Sequence, residues 1–217
     1  MTSGPRPGPP RMTDVRAAVA AERREQAELL AGLTPEQWDA PTLCAGWRVR
    51  EVIAHTTMPY RMSMPKFVVQ LVAAGGSFDR MADRAARRDA AAMTAGQLVA
   101  QLRDNAEHPW APPGGGATGA LSHDVIHGLD VTVGLGLDRR VPPERLGLVL
   151  AGMSPRSVGY FGADLDGVEL RATDRDWTFG SGTPVHGRAQ DLLLVVCGRR
   201  LPAGRLDGGA AGRFTAG

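Results

Sequence analysis

The stretch LSHDVIHGLDV, residues 121–131, holds two of the chain's five histidines four positions apart, with Asp124 and Asp130 beside them. Four residues is about one turn of α-helix, so in a helical segment His123 and His127 project side by side from one face. The remaining positions are mostly Leu, Val and Ile, the content of a packed helix, and a loop rich in Pro and Gly (PWAPPGGGATG, 109–119) comes just before it. The new helix starts near Thr118 or Ser122. A helix that aims two imidazoles at its neighbours reads as one member of a helical bundle, where side chains on facing helices build metal sites.

Working outward, helical signals fill the preceding chain. From Thr13 to about Leu30, Val15, Ala18, Val19, Leu29 and Leu30 recur with a helical period among charged residues. LTPEQW (33–38) places Thr34 as N-cap, Pro35 at the first helical position and Gln37 as capping-box partner, with Leu33 and Trp38 as a staple. MTAGQL (93–98) repeats the device with Thr94, Gln97, Met93 and Leu98 and opens a helix to about Glu107. Between them GWRVREVIAHTTM (46–58) gives a helix with Val49, Val52, Ile53 and Thr56 on one face and His55 at its edge, and PKFVVQLVAAGG (65–76) is bounded by Pro65 and Gly75.

After about Gly162 the pattern changes. In GVELRATDRDWTFGSG (167–182), Val168 and Leu170, then Trp177 and Phe179, alternate with polar residues as two short strands around a turn, and GRAQDLLLVVCGRR (187–200) reads as an apolar helix ending at Gly198. About 160 residues of helix are thus followed by roughly 55 of mixed α+β, with a boundary near 160–166. The expected domains are a disordered tail over 1–12, with four prolines in its first ten residues, a helical bundle over 13–162 and a small α+β domain over 163–217, loosely ordered at its Gly- and Ala-rich end.

Composition narrows the function classes. With 43% hydrophobic and 22% charged residues the chain is that of an ordinary globular protein. A formal net charge of +2, with Lys66 the only lysine and the arginines scattered among acids, leaves no footprint for nucleic acid. The arginine, alanine and glycine usage is that of a GC-rich bacterial source. The N-terminus lacks the apolar segment of a secretory signal, and no run of about 18 apolar residues marks a membrane span, so a cytoplasmic location is expected. Cys44 and Cys197 have neither metal-site spacing nor disulfide-scaffold density and are expected to be reduced and buried.

His55 offers a third imidazole from a different helix than His123 and His127. Three protein ligands with an open position is the pattern of a catalytic zinc, and three neutral imidazoles leave the ion its full charge. Asp130, one turn beyond His127, is placed to orient an imidazole. Spacing alone also fits a second reading, two acids and two histidines on a solvated helix face. His108 and His186 have no evident partner.

LTPEQWDAPTLCAGWRVREVIAHTT (33–57) resembles the N-terminal signature of the mycothiol-dependent maleylpyruvate isomerase family, within the wider DinB-like metal-binding four-helix bundles. The shared features are Trp38, the run Pro41-Thr42-Leu43-Cys44, Gly46-Trp47, Val49 and His55. HDVIHGLD falls where that family places its second and third ligands, and residues 170–200 resemble its small C-terminal domain, which is similar to sterol carrier proteins. The resemblance implies an α-helical DinB-like four-helix bundle followed by a small α+β domain, a divalent metal, zinc foremost, held by His55, His123 and His127, and mycothiol or a similar low-molecular-weight thiol as co-substrate. Many family members carry glutamate where this chain has His123. The three-histidine set leaves the site one unit more positive and is closer to other DinB-like proteins.

The leading expectation is therefore a metal-dependent enzyme of this family, a thiol transferase or an isomerase that adds a thiol to a small electrophilic substrate, lets a bond rotate and eliminates it. Asp130 is expected as a supporting group, and Arg199 or Arg200 as a clamp for an anionic substrate. Two alternatives stand beside it: a non-catalytic small-ligand-binding protein on the same fold, and a thiol-independent metalloenzyme in a biosynthetic pathway. No nucleic-acid or membrane partner is expected.

Overall fold

The computed structural model describes residues 12–216; all but the last residue of the expected tail over 1–12 lie outside the described residues. The first part of the chain is helical: α1 (Met12–Ala31), α2 (Pro35–Trp38), α3 (Val49–Thr57), a 3-10 turn (Met58–Arg61), α4 (Met64–Ala73), α5 (Phe78–Ala92), α6 (Ala95–Asp104), α7 (Gly116–Gly134), α8 (Pro143–Ala151) and α9 (Pro155–Phe161). Both expected capping boxes form. The Gln37 backbone N–H donates to Thr34 Oγ1 at 3.3 Å and the Thr34 N–H to Gln37 Oε1 at 2.9 Å, and Thr94 and Gln97 do the same. α6 ends at Asp104, short of Glu107, and α7 begins at Gly116, slightly before the expected start.

Four helices close into a ring: α1 packs on α6 and α7, and α3 packs on α6 and α7, while α5 lies outside against α3. One core fills the α1–α3–α6 side with Ala27, Leu30, Trp38, Val49, Val52, Ile53, Leu98 and Leu102. A second runs from Val19 and α7 through α8 into the C-terminal part. No helix among the described residues is long and apolar enough to cross a membrane.

The C-terminal part is a four-stranded sheet in the order β2-β1-β3-β4, with β1 (Val168–Ala172), β2 (Thr178–Gly180), β3 (Thr183–Gly187) and β4 (Leu206–Asp207), covered by α10 (Ala189–Val196). β1 runs parallel to β3 and antiparallel to β2. Val168, Leu170 and Val185 pack under Leu192–Val196, whose side chains are all buried and continuous with the core along α7. The bundle and the sheet therefore share apolar contacts across the sequence boundary at 162–163. The C-terminal end is ordered rather than loose: the Leu201 N–H donates to the Phe214 carbonyl at 2.8 Å, and Phe214 and Ala211 join the core. Burying a phenylalanine supplies the apolar contact that a Gly/Ala-rich composition does not advertise.

Candidate metal centre

α3 and α7 are neighbours in the ring, and this brings His55 to His123 and His127. α3 is held by its apolar face, with Val49, Val52 and Ile53 fully buried, and by Glu51, whose side chain accepts the Arg48 backbone N–H at 2.9 Å and so anchors the helix start. One turn after Glu51, His55 faces α7. Its Nε2 lies 3.3 Å from His123 Nε2. The ring centroids are 5.3 Å apart for 55 and 123, 5.0 Å for 55 and 127, and 4.7 Å for 123 and 127. One nitrogen from each ring lies within 4.8 Å of the other two.

Each imidazole of α7 is backed by a carboxylate, and each carboxylate by an arginine. His123 Nδ1 is 3.1 Å from Asp124 Oδ1, and the buried Arg23 of α1 donates from Nε to Asp124 Oδ2 at 2.7 Å. Arg23 also reaches the carbonyls of Ala106 and His108, pinning α1 to the chain after α6. His127 Nδ1 is 3.1 Å from Asp130 Oδ2, and Arg199, just past α10, grips both oxygens of that carboxylate at 2.9 and 2.8 Å. Carboxylates on both Nδ1 atoms fix the N–H there and leave the Nε2 lone pairs facing the cluster, the usual outer arrangement around metal-ligating histidines. Trp47 lies against His55 at 5.1 Å and Trp110 edge-on to His123 at 5.2 Å.

The electrostatics favour the neutral imidazole at His55 and His127. Burial, reinforced by the other two imidazoles, pushes His55 well below the usual histidine range, and burial also lowers His127 against the opposing pull of Asp130. Burial alone would raise Asp130, but the hydrogen bonds from Arg199 and His127 outweigh it and hold the carboxyl well below the usual carboxylate range. His55 Nδ1 is buried with no hydrogen-bond partner among the described residues. Metal binding needs deprotonated nitrogen, and a borderline-soft divalent ion suits imidazole. Three convergent imidazoles, two of them held rigidly from behind, fit such an ion.

Arg199 has a different setting from that of a substrate clamp. Its fork closes on Asp130, Nη2 also reaches Cys44 Sγ and Nη1 donates to the Cys197 carbonyl at 2.9 Å, so four of its five N–H donors are engaged within the protein. Arg200 points elsewhere and donates to the Arg213 carbonyl. His108 lies tilted against Tyr60 and accepts the Trp110 N–H, outside the cluster. His186 sits on β3, lining a separate cleft of about 470 Å³ at the start of α10.

The group that sequence reasoning missed is Cys44. It is half-buried, and its Sγ lies 2.9 Å from Asp130 Oδ2, 3.6 Å from His127 Nδ1 and 3.6 Å from an Arg199 nitrogen. Cys44-Ala45-Gly46-Trp47 forms a tight turn, with the Trp47 N–H donating to the Cys44 carbonyl at 3.0 Å and Gly46 at φ 76°, the left-handed third position that a type II turn requires. This turn sends Cys44 to one side of the site and Trp47 to the other. The local signals were the turn and the place of Cys44 in the Pro41-Thr42-Leu43-Cys44 run, and neither names a role, since the side-chain partners of Cys44 lie more than 80 residues away.

Residues 19–131, just over half of the chain and the span that contains all three histidines, match the family profile described as the mycothiol maleylpyruvate isomerase N-terminal domain. Among solved structures, the crystal structure of the mycothiol-dependent maleylpyruvate isomerase is similar with a TM-score of 0.59 at 12% identity, over 93% of this chain and 94% of that one. A crystal structure of a histidine-to-alanine mutant of the same enzyme gives a TM-score of 0.46 at the same identity and coverage. No curated protein matches the chain. At 12% identity the structural likeness speaks for the fold, and the profile match over the bundle helices speaks for descent: this chain belongs to the mycothiol-dependent maleylpyruvate isomerase family.

Proposed function

We propose that the protein is a metal-dependent enzyme in which His55, His123 and His127 hold a divalent metal, zinc before others on donor chemistry, and in which mycothiol or a similar small thiol attacks a small electrophile. The observation that carries this reading is the convergence of three imidazoles from α3 and α7, two of them braced by buried carboxylate–arginine pairs. A divalent metal held there supplies Lewis acidity that makes a nearby thiol easier to deprotonate.

The chain's own residues set the conditions for that chemistry. Imidazole donors, unlike carboxylates, would not offset the charge of a bound divalent ion, which favours an anionic nucleophile beside it. Trp47 and Trp110 flank His55 and His123 with apolar surface, which thins the water around the site and strengthens electrostatic interactions within it. Asp130 and Arg199 act through His127 and are positioning residues. In thiol transfer a C–S bond forms as the leaving group departs with its electron pair. In isomerisation the sulfur adds to an activated C=C bond, the resulting single bond rotates, and C–S cleavage restores the double bond and the thiol.

The test is turnover of a panel of electrophiles, a cis-configured conjugated diacid, an epoxide and an aryl halide, by zinc-loaded protein with and without mycothiol. Thiol-dependent turnover, with an S-conjugate or a trans isomer identified by mass spectrometry, is expected. Equal turnover without thiol would assign the site to water chemistry instead, and no turnover with tight retention of a small ligand would assign it to binding.

A further inference from the structure

The loop that carries Cys44 is fastened to α7 at several points. The Leu43 N–H donates to the Asp130 backbone carbonyl at 3.1 Å. Thr42 Oγ1 accepts the Cys44 N–H at 3.1 Å and donates to the Trp47 carbonyl at 3.0 Å, so the first and last residues of the turn are both tied to Thr42. At the end of α7, a Cβ on Gly134 would stand 2.8 Å from Thr42 Cα and 3.2 Å from the Pro41 carbonyl oxygen. Backbone this close is possible only against glycine. Such an approach, fixed from both sides, determines where the Cys44 side chain ends.

We infer that Cys44 is a positioning residue of the metal centre, whose thiol donates to Asp130 and so fixes the carboxylate that holds His127. The inference rests on the metal reading above. A carboxylate oxygen can only accept, so at 2.9 Å the S–H must donate. Asp130 Oδ2 then takes three donors, from His127, Cys44 and Arg199, and Oδ1 takes one, from Arg199 Nε. The Asp130 side chain is 0% exposed, so its carboxylate is out of reach of bulk solvent and these four contacts set its plane. The Arg199 nitrogen at 3.6 Å donates to Sγ in turn, making Cys44 a relay between the C-terminal part and α7. Sγ lies 3.6 Å from His127 Nδ1, the nitrogen that also meets Asp130; the donor atoms of Cys44, His127 and Asp130 lie within 4.8 Å of one another as well, so the effect of zinc on the thiol decides between a positioning residue and a ligand.

The S–H stretching region of the infrared spectrum, free of other protein bands, tests the contact with the full chain. Expected is one S–H band displaced to low frequency, absent in Cys44→Ala and Cys44→Ser, moved upward in Asp130→Asn, and retained after zinc loading. Zinc affinity is expected to fall about tenfold or more in Cys44→Ala, the usual effect of losing a group behind a ligand, and to recover most of the way in Cys44→Ser, which keeps a donor. A band lost on zinc loading would make Cys44 a ligand and overturn the inference. So would wild-type affinity in Cys44→Ala, or Cys44→Ser no better than Cys44→Ala. An undisplaced band in protein that takes up zinc normally overturns the role of Cys44 alone. Failure of the wild-type chain to take up zinc overturns the metal reading and this role with it, even where the band is displaced.

Discussion

Arg23 and Asp124 form a fully buried ion pair whose two roles, holding the fold and holding His123, separate by substitution. Replacing Arg23 with Met leaves Asp124, 2% exposed, without its 2.7 Å partner. Stranding one member of a buried pair costs about 3–5 kcal/mol. The lower end applies here, because His123 Nδ1 still lies 3.1 Å from the other oxygen and two of the three carbonyls that Arg23 served are partly accessible to water. Asp124→Leu strands the guanidinium by a similar amount. In the double variant Arg23→Met/Asp124→Leu no charge is buried unpaired, so stability is expected to recover to within about 1–2 kcal/mol of wild type, a coupling energy of several kcal/mol. Zinc affinity is not expected to recover, since His123 has lost the carboxylate behind it, and should stay about 10–100-fold weaker. Urea denaturation of the four proteins, with the m-value unchanged, gives the stabilities, and competition with a chelator gives the affinities. Additive destabilisation in the double variant would refute the ion-pair argument. Wild-type zinc affinity in that variant would refute the bracing of His123.

Two other consequences are specific. Alanine at a helical glycine ordinarily stabilises by about 1 kcal/mol, and Gly159→Ala, with open space around the added Cβ, should do so; Gly134→Ala, whose Cβ meets Thr42 backbone at 2.8 Å, should instead destabilise by about 1–3 kcal/mol in thermal melts, and stabilisation there would contradict the close packing of the Cys44 loop. Burial pushes the Glu51 carboxyl up, but hydrogen bonds from the Arg48 guanidinium and backbone outweigh it and hold the carboxyl below its usual range; a depressed carboxylate stabilises above its unfolded value of about 4.3 and loses that contribution as pH falls, so Glu51→Gln should flatten the acid limb of the stability–pH curve, and an unchanged limb would count against the pair.

The cluster of three histidines was legible because its signal is local. A four-residue spacing on a helix places His123 and His127 on one face, and the capped helix after Gly46 carries His55 to the matching level. What supports the histidines was not legible, because each support is a long-range contact. Arg23 sits among the charged residues of α1 and reads as solvent-facing, yet its partner is 101 residues away. Cys44 reads as a small buried residue, and only the packing of the turn against α7 shows what it meets. α5 escaped notice for another reason: its buried face is Met81, Ala82, Ala85, Ala86 and Ala90, and alanines give little hydrophobic contrast along a helix that is otherwise largely charged. β3 shows a single large apolar residue, Val185, and gains its place at the centre of the sheet from pairing with β1.

Zinc content of the purified chain, measured by mass spectrometry after loading and exhaustive dialysis, tests the central claim most directly when read across wild type and the His55→Ala, His123→Ala and His127→Ala variants, with circular dichroism confirming the fold. About one zinc per wild-type chain and a loss of retained metal in each variant is the predicted result, as expected for a three-ligand site. Zinc absent from the wild-type chain, or retained undiminished after removal of any one of the three imidazoles, would contradict it.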